Sequence, residues 1–244
     1  MTYPRRAPRA ELPTRVEAVH DVTASMRQID LVGPDVPRLR LHPGAHLVVR
    51  VPTATAKARR VYSIWRHSPA ESRLSLRIAV HDGGGPGCDW ARRAAPGDRV
   101  TVEPPRSKIT VVDAAAFHLF AGDETGAVPL LAMRAALRTG DRPVVGVFEC
   151  AGPQDEMPGR DGVPPLPWVH RGTASAVASR VLQHAVHDLA IPSAGTGAAY
   201  IAGESETCRL IQRTLIEHHG FPRRAVHVQP QWTAGRPGFG AGAG

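Results

Sequence analysis

Near residue 113 the grain of this sequence changes, and neither a single sheet nor a helical bundle accommodates both halves. Upstream, Pro, Gly and Asp break the chain into short apolar runs. LSLRIAVH places Leu74, Leu76, Ile78 and Val80 on one face of an extended segment and Ser75, Arg77, Ala79 and His81 on the other, the pattern of a strand with one buried face. HLVVRVP, RRVYSIW and DRVTVEP are of similar length, and turns such as HPGA and APGD separate them, so this half reads as a small antiparallel barrel or sandwich. Downstream, strand-like and helical runs alternate, as in a parallel sheet covered by helices. FHLFAGDE is a strand ending in a turn, TGAVPLLAMRAALRTG predicts a helix with Pro129 in its first turn and Gly140 at its end, and RPVVGVFECA is a second strand. PWVHRG is a shorter third element, and TASAVASRVLQHAVHDLA is a helix capped by Thr173. AAYIAGES, the helix ETCRLIQRTLIEHHG stopped by Gly220, and the strand AVHVQP complete the pattern.

The expected organisation is a barrel domain over residues 1–113, an α/β domain over 114–232 and a disordered tail over 233–244, where GRPGFGAGAG is low in complexity. A chain of 244 residues fits two compact domains, and 42% hydrophobic residues supply a core for each. No stretch approaches the apolar run of a membrane span, and MTYPRRAPRAELP carries charge with no apolar segment behind it. Neither membrane insertion nor a secretory signal is expected, and a cytoplasmic location is. Cys88, Cys150 and Cys208 lie too far apart for paired metal or dithiol spacing and are read as free thiols. His184 and His187 share a helix face and His218 adjoins His219, but neither pair brings a third ligand, so no metal site is expected. Residues 1–113 hold 19 Lys and Arg against 11 Asp and Glu, residues 114–244 hold 11 of each, and the first half therefore carries the whole net charge of +8. No aromatic-basic stripe, zinc finger or long basic helix accompanies it, so nucleic acid is not the expected partner.

In RRVYSIW, residues 59–65, Arg60 and Tyr62 share one face of a strand with Ser63 beside them. A cation, a ring and a hydroxyl so close together suit a ligand with a phosphate, a flat ring system and ring atoms that take hydrogen bonds, as a flavin dinucleotide has. HDGGGPGCDWA, residues 81–91, follows with glycines on both sides of Pro86 that let backbone amides approach a pyrophosphate, and with Trp90 to seat the next segment on the barrel. AGDETGAV, residues 121–128, lies where a strand ends and a helix begins, the point at which an open parallel sheet receives a nucleotide; Asp123 and Glu124 read there as capping residues.

Taken in order, VTASMRQIDLVGP, PGAH, RVYS, VHDGGGPGCDWA, PGD, AGDET, WVHRG, YIAGESETCRLIQRTL and QWTAG resemble the siderophore-interacting protein family, FAD-dependent ferric-siderophore reductases of the ferredoxin-reductase-like superfamily. The resemblance covers nearly the whole chain. It implies an N-terminal antiparallel Greek-key FAD-binding barrel followed by a C-terminal parallel-sheet NAD(P)H-binding domain. Arg60, Tyr62 and Ser63 would hold FAD, with Ser63 tuning the ring, and His81, Gly85, Gly87 and Cys88 would shape the pyrophosphate loop. Gly122, Asp123, Glu124, Thr125, Glu149, Gly203 and Glu204 would face NAD(P)H. Two positions depart from the family pattern, Asp82 for a glycine and Cys88 for a small hydroxyl residue, and the stretch after GDET is one residue longer before Pro129. The implied activity passes a hydride from NAD(P)H to FAD and single electrons from the reduced flavin to ferric iron in a siderophore, with a ferredoxin as the other candidate donor. Glu149, Asp155 and Glu156 would disfavour the extra phosphate of NADPH, whereas Arg160 and Arg171 would favour it; the lean is to NADH. Lys57, Arg59, Arg66, Arg73 and Lys108 flank the flavin motif or end neighbouring strands and are candidates for a basic rim that draws in anionic ferric complexes. Two alternatives stay open: a general NAD(P)H flavin reductase or oxygenase-partner reductase, and a basic protein that binds anions or nucleic acid without redox activity.

Overall fold

The computed structural model describes residues 10–53, 57–81, 84–137, 142–193 and 195–236. Six strands, β1 (Leu12–Thr23), β2 (Met26–Val32), β3 (His46–Pro52), β4 (Lys57–Ser68), β5 (Arg73–Ala79) and β6 (Arg99–Val102), close into an antiparallel barrel in the order β1-β2-β5-β4-β3-β6. Leu74, Leu76 and Ile78 of β5 point into its core, as their alternation predicts. The segment read as a glycine loop contains a helix, α1 (Pro86–Arg93), which plugs the barrel with Trp90 and Ala91. It forms because Gly85 ends the extended chain as N-cap, Pro86 brings a φ already suited to the first turn, and one face has an apolar core to cover.

Five parallel strands make the second sheet in the order β11-β10-β7-β8-β9: β7 (His118–Asp123), β8 (Val144–Cys150), β9 (Trp168–His170), β10 (Ala198–Glu204) and β11 (Val226–Trp232). Helix α2 (Glu124–Arg134) covers the face toward the barrel, where its apolar residues share a core with Met26 and Trp65, and α3 (Arg180–His187) and α4 (Ser205–Glu217) cover the other face. The outer face of β5 is therefore only partly solvated. Arg77 lies 3.6 Å from the centroid of Trp65 and donates to the Pro158 carbonyl at 3.0 Å, and Ser25 donates to Asp155 at 2.6 Å, so the loop after β8 straps the two domains together.

Two helix starts differ from the sequence reading. Helix α2 begins at Glu124 because Asp123 caps it, which places Pro129 in the second turn rather than the first; its anticipated end at Gly140 lies outside the described residues. Helix α3 begins at Arg180 rather than after Thr173, because Ala178 takes a left-handed φ of 52° and Ser179, the actual cap, is held by Glu149. After α4, Gly220 adopts the anticipated left-handed turn with φ 70°. Of the tail, residues 237–244 lie outside the described residues, as does Asp82. Among the described residues no helix is long and apolar enough to cross a membrane. Strand order reverses between β7 and β10, so the crevice at their carboxyl ends is where an open α/β sheet takes its ligands.

Candidate functional site

Strand β4 sets Arg60 opposite Val49, Tyr62 opposite Leu47 and Ser63 opposite His46. Arg60 and Tyr62 turn toward the start of α1. A Cβ built on Gly87 would lie 2.4 Å from Tyr62 Oη and 3.4 Å from Arg60 Cγ, so these three residues share one small surface and position 87 has no room for a side chain. The Tyr62 ring sits with its centroid 6.0 Å from that of Trp90, its hydroxyl is buried without a hydrogen-bond partner, and burial holds its pKa well above the ordinary range, with the Cys88 thiol adding to the effect. The Arg60 guanidinium donates to the Arg59 carbonyl at 2.8 Å, and no carboxylate among the described residues pairs with it.

The loop beneath is closed by its own backbone: Gly84 N donates to the His81 carbonyl at 3.2 Å and Cys88 N to the Gly85 carbonyl at 2.9 Å, while Arg92 caps the same His81 carbonyl at 2.7 Å. His81 is exposed. The Cys88 thiol turns inward, 3.5 Å from the Ala79 carbonyl, and fills the space a Cβ on Gly84 would need. Cys88 thus supports the loop from below instead of presenting its side chain outward. Gly85 stands in open space. These residues fit an FAD: a buried orphan hydroxyl, a guanidinium that no carboxylate among the described residues pairs with, and a glycine cradle meet on one surface. On the opposite side of β4, Ser63 is buried and its Oγ donates to Gln231 Oε1 of β11 at 3.4 Å, joining the barrel to the second domain.

The residues expected to face NAD(P)H do gather at the carboxyl ends of β7, β8 and β10, but most of their side chains are used within the fold. Asp123 accepts from five donors: Thr125 N at 2.9 Å, Thr125 Oγ1 at 2.6 Å, Gly126 N at 2.9 Å, Glu204 N at 2.8 Å and Trp232 Nε1 at 3.0 Å. Gly203 needs its glycine, with φ 134° and a Cβ position 2.7 Å from the Asp123 carboxyl carbon. At Gly122 a Cβ would meet the Ala202 carbonyl oxygen at 2.2 Å, which makes it a packing glycine between neighbouring strands. Glu204 caps α4 through Thr207 N at 2.8 Å. Glu149 is fully buried and bonded by Ser179. Its burial differs from the sequence reading, in which it faces NAD(P)H and disfavours the extra phosphate of NADPH. Burial raises its pKa, against the opposing pull of Ser179 and Arg171. Glu124 is bound bidentately by Arg171 at 2.7 and 2.8 Å, and the same guanidinium stands 3.6 Å from Glu149. Asp155 is buried at the domain strap, and Arg160 donates to the Trp65 carbonyl.

The five rim candidates do not form one cluster. Arg59 alternates with Arg60 and turns the other way, gripping the buried Glu103 at 2.8 and 2.9 Å. Arg73 bonds Glu17 at 2.7 Å and Glu71 at 3.2 Å at the far end of β4 and β5, opposite Ser68. Carboxylate partners thus remove both from a free rim, leaving Lys57, Arg66 and Lys108 exposed. Sequence reasoning placed Gln231 and Trp232 in the QWTAG segment of the family pattern but gave neither a site role; the proline inside a strand pattern at Pro230 was the local signal of the irregularity there.

Residues 45–109 match the family model of the siderophore-interacting FAD-binding domain. With the closed barrel and the parallel sheet behind it, that match defines the class: a protein with a siderophore-interacting FAD-binding barrel followed by a parallel α/β domain. Residues 115–235 match the model of siderophore-interacting protein, and the chain belongs to the siderophore-interacting protein family. The ferric vibriobactin reductase ViuB of Vibrio cholerae is 25% identical over 183 residues, which are 72% of this chain and 65% of that relative's length. A siderophore utilization protein from T. fusca superposes with a TM-score of 0.81 at 25% identity, covering 97% of this chain and 98% of that one. Phthalate dioxygenase reductase shares the fold, with a TM-score of 0.72 at 20% identity over 93% of this chain and 70% of its own.

Proposed function

We propose that the protein is an FAD-dependent oxidoreductase that takes electrons from a reduced nicotinamide nucleotide and passes them to ferric iron held by a siderophore, releasing ferrous iron. One observation carries the proposal: Arg60, the orphan hydroxyl of Tyr62 and the Gly87 cradle meet on one side of β4 while Ser63, on the other, faces the nucleotide domain. Family membership and the ferric-siderophore relative support the substrate class. Bound FAD supplies the exchange between two-electron and one-electron chemistry. Arg60 would set its charge against the pyrophosphate, Tyr62 would pack on the ring or ribityl chain, and Ser63 would hydrogen-bond the ring's reactive edge. The oxygen donors of a siderophore attract trivalent iron more strongly than divalent iron because the Coulomb term scales with charge, so reduction loosens the metal. No side-chain acid, base or nucleophile is required.

The donor is NADH in this reading. Arg171 is engaged by Glu124 and Glu149, and Arg160 donates to the Trp65 carbonyl, so neither of the two cations that could pair with the added phosphate of NADPH is left unengaged for it. Anaerobic turnover of FAD-loaded protein with NADH, NADPH and a reduced ferredoxin against a panel of ferric chelates tests both claims. Reduction of ferric siderophores with NADH preferred is the expected result; failure of the protein to take up FAD would overturn the function, and a clear preference for NADPH would overturn the donor assignment.

A further inference from the structure

The last turn of the β11 ladder is irregular at one residue. Gly203 pairs with Pro230 and its successor Glu204 pairs with Trp232, so Gln231 is the extra residue of a β-bulge. Two features produce it: Pro230 has no N–H to give the ladder, and Gly203 takes a φ of 134° that side chains avoid. The flanks are anchored, since Trp232 Nε1 and Glu204 N both donate to the Asp123 carboxylate, at 3.0 and 2.8 Å. A bulge re-aims the side chain it adds. Here it sends the Gln231 amide out of the second domain to the barrel, where Oε1 accepts from Ser63 Oγ at 3.4 Å. The other end of that amide, Nε2, is buried and has no hydrogen-bond partner.

We propose that Gln231 is a positioning residue that favours the reduced flavin, an inference that rests on FAD being bound beside Ser63. By accepting the Ser63 hydroxyl hydrogen, Gln231 turns the lone pairs of Oγ toward the ring and makes Ser63 an acceptor there. A hydride from the donor brings two electrons and one proton to the ring, which gains an N–H where the oxidised form has a lone pair and gains one delocalised negative charge. Ser63 accepts from that N–H, and the unused Nε2 donates to the anionic ring, so both contacts strengthen on reduction. Because the pair spans the barrel and the sheet, only the docked arrangement of the two domains assembles it.

The test compares full-length, FAD-loaded wild type with Gln231→Met and Gln231→Glu by dye-equilibrated spectroelectrochemistry and by FAD titration. Gln231→Met should lower the preference for reduced over oxidised FAD about tenfold, read as a potential about 30 mV more negative for a two-electron couple. Its affinity for oxidised FAD should stay within about threefold. In Gln231→Glu the difference from wild type should grow as pH rises and the carboxylate ionises. In a Ser63→Ala background, Gln231→Met should move the potential much less, as a shared contact requires. Potentials equal to wild type in both variants, or a Glu variant whose difference is independent of pH, would overturn the inference while leaving the FAD reading intact. Wild-type protein that takes up no FAD would overturn the reading beneath it.

Discussion

Replacing Tyr62 with Phe deletes one oxygen and keeps the ring beside Trp90, which makes it a sharp probe of the flavin surface. In FAD-free protein the hydroxyl is buried with no partner, and such a group costs about 1–3 kcal/mol. The FAD-free variant should therefore be more stable by about 1 kcal/mol, a rise of about 2–4 °C in Tm for a protein of this size. With FAD in place the hydroxyl has an acceptor on the cofactor, and the lost hydrogen bond is worth about 1 kcal/mol, or up to about 2 kcal/mol if that acceptor is a phosphate oxygen. The two effects add in the binding cycle, so FAD affinity should fall by about 2–3 kcal/mol, roughly 30- to 150-fold. Thermal unfolding of the FAD-free proteins and fluorescence titration with FAD measure the two halves separately. Opposite signs are the diagnostic outcome; a less stable FAD-free variant that still binds FAD as the wild type does would place the hydroxyl in the service of the fold and refute the argument.

Arg59→Met should destabilise the protein by about 1–3 kcal/mol, since it strips a bidentate partner from buried Glu103, yet leave FAD affinity within about threefold. Its neighbour should behave in reverse: Arg60→Met should weaken FAD at least about tenfold with little change in Tm, and identical phenotypes for the pair would contradict the face assignment. Glu149 has its pKa raised by burial, so the folded state holds its proton longer than the unfolded chain does; that contribution is fully present below about pH 4 and is lost as pH rises through the folded value. The Tm of wild type relative to Glu149→Gln should accordingly fall between about pH 4 and neutrality, and a constant or widening advantage would contradict it. The second-order rate of reducing an anionic ferric catecholate should drop as the screening length shortens from about 30 Å to about 8 Å, while a neutral hydroxamate changes little; equal salt responses would dismiss steering by Lys57, Arg66 and Lys108.

Strand periodicity at Leu74, Leu76 and Ile78 and the run-by-run alternation after residue 113 made the barrel and the parallel sheet readable, because one-sided burial leaves a period in the sequence. The Arg60, Tyr62 and Gly87 surface was readable for a similar reason: a short extended stretch and a glycine-flanked turn are local patterns. Helix α1 was hidden by its glycines, which argue for a loop until Trp90 and Ala91 find the barrel core. The carboxylates near the nucleotide crevice misled in another way. Composition reports that Glu149 is charged, but only the fold brings Ser179 and Arg171 to it and turns it inward. Arg59 and Arg73 were likewise legible as cations and illegible as partners of Glu103 and Glu17, which are far away in sequence. Gln231 meets Ser63 across 168 residues through a bulge, a contact that no local pattern encodes.

The account stands or falls on whether reduced flavin on this protein hands its electrons to siderophore-bound iron. Anaerobic stopped-flow mixing of pre-reduced, FAD-loaded protein with a ferric siderophore, in the presence of a chelator that colours with ferrous iron, measures that transfer directly. The account predicts that the flavin absorption band returns in step with the ferrous signal, and that Arg60→Met protein gives both signals only in proportion to the FAD it still holds. A reduced flavin that persists unchanged beside the ferric siderophore and reoxidises only when oxygen is admitted would contradict it.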